Sequence, residues 1–244
     1  MGIIATLLLG GAIVALIVGG FLKYKGGRLS KAPFVPTGQA GNAANADPKG
    51  TISTQGTVEC PQPLISPVTG TPCLYYKLEV IGHWKAGDTS KKKTYVEDKQ
   101  GAAFSLNDGS GSVPVDVREG GDLDLQKTFD ETKKEGFFAD IKSAVGKGEP
   151  MMFGNYAFAN PPMSKANKFH CVERIMPVPP SAFVLGKLQE GVIGRAGMFG
   201  MILSPKTRDD LLGSSAKNAK LAFIGGAAAG GLGAVLAVVS MVVG

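Results

Sequence analysis

Residues 102–117 read AAFSLNDGSGSVPVDV. Phe104 and Leu106 alternate with small or polar neighbours, Asn107-Asp108-Gly109-Ser110-Gly111 follows, and Val113, Val115 and Val117 resume the alternation. A period of two puts one set of side chains on one face of a strand. An Asp-Gly pair between two such runs signals a hairpin. The same five turn residues could open a calcium loop, but the later acids and terminal Glu of that motif are missing. The stretch therefore predicts two strands and a turn.

An apolar pair, an Asp-Gly turn and a valine alternation recur in small β-barrels of the OB type. Upstream, residues 52–59 and 72–80 read as strands, the second holding Leu74, Tyr75, Tyr76 and Val80. Lys91-Lys92-Lys93 is either a phosphate- or lipid-binding run or the solvated end of a hairpin, and the hairpin end is the more ordinary reading. Downstream, residues 122–145 mix acids and lysines with spaced Leu and Phe, which predicts a short helix near 126–135 broken at Gly136. Strands are expected at 151–159 and 168–176, and Pro177, Pro179 and Pro180 break the chain. Ser204-Pro205 predicts a helix start, with Ser as N-cap and Pro at the first helical position.

The two ends of the chain are different in kind. Residues 2–22 and 221–243 are uncharged and long enough to cross a bilayer as helices. The formal net charge is +6, and it sits at their borders: Lys23, Lys25, Arg28 and Lys31 follow the first stretch, Lys217 and Lys220 precede the second, and residues 32–216 balance. By the positive-inside rule these six residues place the middle of the chain in the cytoplasm. They also argue against a nucleic-acid partner, because the excess is no patch on a folded domain. Gly226 and Gly230 make a GxxxG spacing suited to close helix packing, within the chain or between copies. The expected organisation is a transmembrane helix at 2–22, a basic juxtamembrane segment and linker at 23–50, and a β-rich domain at 51–212. A basic connector at 213–220 and a second transmembrane helix at 221–243 complete it. The expected fold class is thus an α+β membrane protein with a barrel-like β-rich domain and short helices between two spans.

Material for chemistry is sparse. There are 3 Cys and 2 His, with no CxxC spacing, so no metal site, cofactor or disulfide framework is expected. Cys73 could act as a nucleophile with His83 or His170 as base. It lies in an apolar strand-like run, however, where a buried structural thiol is the simpler reading. His170 and Cys171 are neighbours on a strand and face opposite sides. Asp122/Asp124 and Asp209/Asp210 suit a loop and a helix N-terminus.

Gly56-Thr57-Val58, Ser66-Pro67, Cys73-Leu74-Tyr75 and the late Ser204-Pro205-Lys206-Thr207-Arg208-Asp209-Asp210-Leu211-Leu212 stand in an order that resembles the GIDE family. Its "beside a membrane" domain lies between two transmembrane helices. The resemblance covers roughly residues 50–220 and implies family positions at Gly56, Val58, Ser66, Pro67, Cys73, Tyr75, Ser204, Leu211 and Leu212. The best-known relatives are ubiquitin ligases with a C-terminal RING. This chain has no Cys/His array, so catalysis is not carried over. The expected function is a membrane-anchored, non-enzymatic scaffold or interaction domain, with a protein partner, contact with membrane lipid and homo-oligomer formation. The alternatives are a ligase-like subunit acting with a RING on another chain, and a channel-like or lipid-organising assembly.

Overall fold

The computed structural model describes residues 2–134, 150–159, 164–195 and 200–243, with backbone only for 2–9 and 229–243. Helix α1 (Gly2–Lys31) is followed by a short α2 (Thr37–Ala40) and a 3-10 turn at Ala43–Asn45. Strands β1 (Thr51–Glu59), β2 (Leu64–Ile65), β3 (Pro72–Ala86), β4 (Thr89–Gly101), β5 (Ala103–Asn107), β6 (Ser112–Asp116) and β7 (Gly121–Leu123) come next. Then follow β8 (Gln126–Lys134), β9 (Met151–Phe153), β10 (Tyr156–Phe158), β11 (Lys168–Pro177), β12 (Ser181–Gln189), β13 (Val192–Gly194), β14 (Met201–Ser204) and helix α3 (Arg208–Val243). These elements form two units, Phe34–Pro205 and the pair Met1–Pro33 with Lys206–Gly244.

In Phe34–Pro205, five strands close on themselves in the order β1-β5-β6-β13-β12 and back to β1. Of the five pairings that close this ring, β6–β13 is parallel and the other four are antiparallel. This is the strand order of an OB-type barrel. The hairpin at 102–117 forms as its pattern dictates: Phe104 faces Val115 and Leu106 faces Val113 in register. These four join Ile52, Val184, Ile193 and Leu203 in the buried barrel core. Segment 32–50, expected as a linker or extended arm, is fastened along the barrel. The Val35 N–H donates to Ser53 O at 3.1 Å, and Ala40 is fully buried in the barrel core. The 107–111 turn anchors this arm through Thr37, whose Oγ1 lies 2.6 Å from Asp108 Oδ1 and accepts from the Asp108 N–H at 3.0 Å.

A second sheet carries β3 at its centre, with β11 and then β8 on one side and β4 and β2 on the other. Leu78, Val80, Phe153, Phe158, Phe169 and Cys171 form its core. Two expectations are corrected. Residues 126–134 are a strand, not a helix: Phe129, Glu131 and Lys133 alternate with Asp130, Thr132 and Lys134 between half-buried and exposed faces. Acids and lysines three apart mimic a helix surface, but the long antiparallel partner β11 decides the outcome. The break at Gly136, with Phe137, Phe138 and Ile141, lies outside the described residues. The single strand expected at 151–159 is a hairpin, β9 and β10, turning at Gly154-Asn155. Strands β12 to β14 had no counterpart in the expectation; β12 is buried on both faces over most of its length and so lacks alternation.

The other unit is a pair of packed helices. Gly226 on α3 sits where an added Cβ would lie 3.2 Å from Ala15 Cβ and 3.4 Å from Ala12 O of α1. The helix start expected at Ser204-Pro205 is displaced: Ser204 ends β14 and α3 begins at Arg208. Thr207 caps it, accepting from the Asp210 N–H at 3.2 Å while its hydroxyl donates to Asp210 Oδ2 at 2.6 Å.

The two expected membrane spans are corrected as well. Among the described residues no helix is long and apolar enough to cross a membrane. In α1, Lys23, Lys25, Arg28 and Lys31 follow the apolar residues on the same helix. In α3, Arg208, Asp209, Asp210, Lys217 and Lys220 precede the apolar residues on the same helix. The two-span localisation, and the cytoplasmic placement argued from it, fall with the spans. The fold class is β-rich and barrel-like, with three α-helices among the described residues.

Candidate functional site

The Ser66-Pro67 dipeptide opens a loop that closes on itself before β3. The Ser66 N–H donates to Thr71 O and the Gly70 N–H to Ser66 O, both at 3.0 Å. Ser66 Oγ accepts from the Thr71 N–H at 3.0 Å and lies 2.9 Å from Thr69 Oγ1. Gly70 supplies the left-handed conformation that this return requires (φ +68°), at little steric cost.

The loop is held from beneath by Glu173, a fully buried carboxylate on β11. Glu173 Oε2 accepts from the Val68 N–H at 2.8 Å; Oε1 accepts from the hydroxyls of Thr69 at 2.7 Å and Thr128 at 2.9 Å. Burying a carboxylate is tolerable only when its oxygens are satisfied, and here one backbone amide and two hydroxyls do so. The carboxylate thus joins the loop to strands β8 and β11. The turn of the β9–β10 hairpin adds a further fastening, with the Asn155 N–H donating to Val68 O at 2.9 Å.

The reactive side chains stand apart. Burial, followed by the Glu173 charge, pushes the Cys73 thiol up to about 11 and the Cys171 thiol up to about 12. Neither is a thiolate at neutral pH, which is the nucleophilic form. Cys73 packs with Tyr76 and Ile175, and Cys171 with Phe169 and Leu78. His83 and His170 occupy the opposite face of the sheet, with ring centroids 6.5 Å apart, and His170 Nε2 lies 2.6 Å from Asp130 Oδ1. The His–Asp pair is oriented like a base, yet no hydroxyl or thiol bonds it among the described residues. Nor is any group of three or more His, Cys, Asp or Glu placed to hold a metal ion among them.

The family positions scatter over the fold. Ser66, Pro67 and Cys73 meet at the loop, while Tyr75 is buried in the barrel core. Gly56 lies where β1 crosses close to β5: a Cβ there would come within 2.8 Å of the Asn107 carbonyl carbon. Val58 packs at the edge of the barrel core. Ser204 donates to Asp124 Oδ2 at 3.1 Å, which ties β14 to the segment after β7. Leu211 is buried and Leu212 half-buried in α3. Gly226 backs onto α1, and the surroundings of Gly230 lie outside the described side chains. Sequence reasoning missed Glu173, Thr69 and Thr128. A lone Glu within Cys171-Val-Glu-Arg-Ile175 reads as a solvent-facing strand residue, though it shares its side with Cys171 and Ile175, both buried.

Fold and site together define a class: an OB-type barrel with an inserted sheet, whose buried polar network shapes a surface loop. The family model described as "GIDE: E3 Ubiquitin ligase" matches residues 80–239, about two-thirds of the chain. The chain belongs to the GIDE family. The matched segment takes in β11 with Glu173, Ser204, Leu211 and Leu212, and begins after Gly56, Val58, Ser66, Pro67, Cys73 and Tyr75. No curated protein and no solved structure matches the chain.

Proposed function

We propose that this GIDE-type domain is a non-enzymatic interaction module that presents the 66–71 loop to a protein partner. One observation carries the reading: a fully buried carboxylate commits its hydrogen bonds to the loop's shape, not to a reacting group. The Cys73 and Cys171 thiols are sealed in the interior and the imidazoles face away from them, so the domain offers a rigid surface in place of an activated nucleophile. Ile65, 60% exposed beside the loop, gives that surface an apolar contact.

The second reading is a ligase-like subunit acting with a RING on another chain, favoured by the family description. To test the first, a photoreactive residue replaces Ile65 in the full chain. Crosslinks to a protein partner are expected to vanish when Glu173→Ala loosens the loop and to persist in the Cys73→Ser/Cys171→Ser double variant. Crosslinks indifferent to Glu173, or lost with the thiols, overturn the reading.

A further inference from the structure

The outer face of the second sheet carries its charge in rows. Lys92 on β4 lies opposite His83 on β3, His83 opposite Lys168 on β11, and Lys168 opposite Lys134 on β8. Directly opposed residues share a face, so these four basic groups form one line across four strands. At about 4.8 Å between strands the line is roughly 14 Å long. The next row, Thr94, Ile81, His170 and Thr132, holds no Lys, Arg, Asp or Glu.

Acids appear one row further, and they are already engaged. Glu79 lies 3.1 Å from Lys77 and 3.3 Å from Arg174, Glu97 lies 3.7 Å from Lys77, and Asp130 is held by Lys127 and His170. The Lys92–His83–Lys168–Lys134 line makes no ion pair among the described residues. The His83 imidazole is held below its ordinary value by burial first, then by His170, Lys168 and Lys92, as expected within a positive field. Lys168 and Lys134 set like charges directly opposite one another, which destabilises a sheet, and the His83 between Lys92 and Lys168 meets an acid as a hydrogen-bond donor. A partner bearing anions at the same spacing relieves that repulsion.

We propose that this line is the docking surface for an acidic helix of a protein partner. Acids at i, i+4, i+7 and i+11 of a helix lie about 5–6 Å apart. Together they span about 16 Å at 1.5 Å per residue, which matches the pitch and length of the line. Beside it, half-buried Ile81 and the two threonines give the apolar edge of such a helix a neutral shelf. A single-stranded nucleic acid would want aromatic platforms, and the residues of these rows include no Phe, Tyr or Trp. The balanced charge of the middle of the chain conceals the line, because the acids cluster in another row.

The inference rests on the interaction reading but is tested apart from the 66–71 loop. A labelled synthetic helix with Glu at i, i+4, i+7 and i+11, and a scrambled peptide of the same composition, are titrated against the full chain by fluorescence anisotropy. The patterned helix is expected to bind about tenfold more tightly than the scrambled one, and more weakly as salt rises. Lys134→Glu with Lys168→Glu is expected to weaken it by about tenfold or more, while Lys99→Glu, opposite Lys77 in the row beyond the acids, changes it less than about twofold. Circular dichroism and the urea midpoint establish that both variants are folded. Equal binding of the scrambled peptide, or a charge-reversed variant that binds normally, overturns the proposal. So does lysine-dependent binding of an oligonucleotide or phosphatidylserine vesicle without binding of the helix. In any of these cases loop crosslinking at Ile65 still decides the interaction reading independently.

Discussion

Replacing Glu173 with Ala removes the acceptor for the Val68 N–H and for the hydroxyls of Thr69 and Thr128. The hydroxyls can turn, since Thr69 Oγ1 already lies 2.9 Å from Ser66 Oγ and 3.0 Å from Thr71 Oγ1. The Val68 amide cannot turn. A stranded buried donor costs about 1–3 kcal/mol, and the emptied side-chain volume adds to it. Against this, the carboxylate's own burial penalty is relieved. The balance is a loss of about 3 kcal/mol, or roughly 6–12 °C in Tm for a domain of this size. Glu173→Gln keeps one acceptor oxygen for Val68 and lets the hydroxyls accept from its amide, so about 1 kcal/mol is expected. Urea unfolding followed by circular dichroism gives the stabilities. Hydrogen exchange at Val68, Gly70 and Thr71 locates the loss, with faster exchange expected there before the barrel opens. A Glu173→Ala protein within about 0.5 kcal/mol of wild type, with unchanged exchange in the loop, refutes the role given to the carboxylate.

Other outcomes follow from neighbouring features. Maleimide at neutral pH is expected to modify Cys60 first and to leave Cys73 and Cys171 until denaturant is added, as intact-mass measurement will report; early labelling of either buried thiol contradicts their environment. The Asp130 carboxyl is held down to about 2 by Lys127 and then by His170. Its contribution to stability is therefore present above the ordinary carboxyl value of about 4 and lost as pH falls from there through about 2. Asp130→Asn should flatten that limb of the urea-midpoint profile. Gly56→Ala forces β1 away from the Asn107 backbone and is expected to cost about 1–3 kcal/mol in urea unfolding. Thr37→Val removes the hydroxyl that meets Asp108 and Gly111, and limited proteolysis is expected to cut residues 37–46 faster than in wild type.

Legibility in the sequence followed the strength of local chemistry. Asn107-Asp108-Gly109 between alternating runs names a hairpin without help from the rest of the fold. Residues 126–134 were not legible: their one Phe and mixed charges suit a helix surface, and only pairing along β11 makes them a strand. Residues 181–189 fail differently, since a strand buried on both faces carries no alternation. Glu173 is the largest omission. Its role depends on Val68 and Thr69, more than a hundred positions earlier, and no local pattern records a contact at that separation. The spans were read from the uncharged length of residues 2–22 and 221–243 and the basic residues at their borders, and no helix among the described residues is long and apolar enough to cross a membrane.

The most direct test of an interaction role is ubiquitin discharge from a thioester-charged conjugating enzyme, measured with the full chain alone and with a separate RING protein added. A non-enzymatic interaction domain leaves the discharge rate at its background value when added alone, and the Cys73→Ser, Cys171→Ser and His170→Ala variants behave alike. Acceleration by the chain alone, abolished by any one of those substitutions, contradicts it.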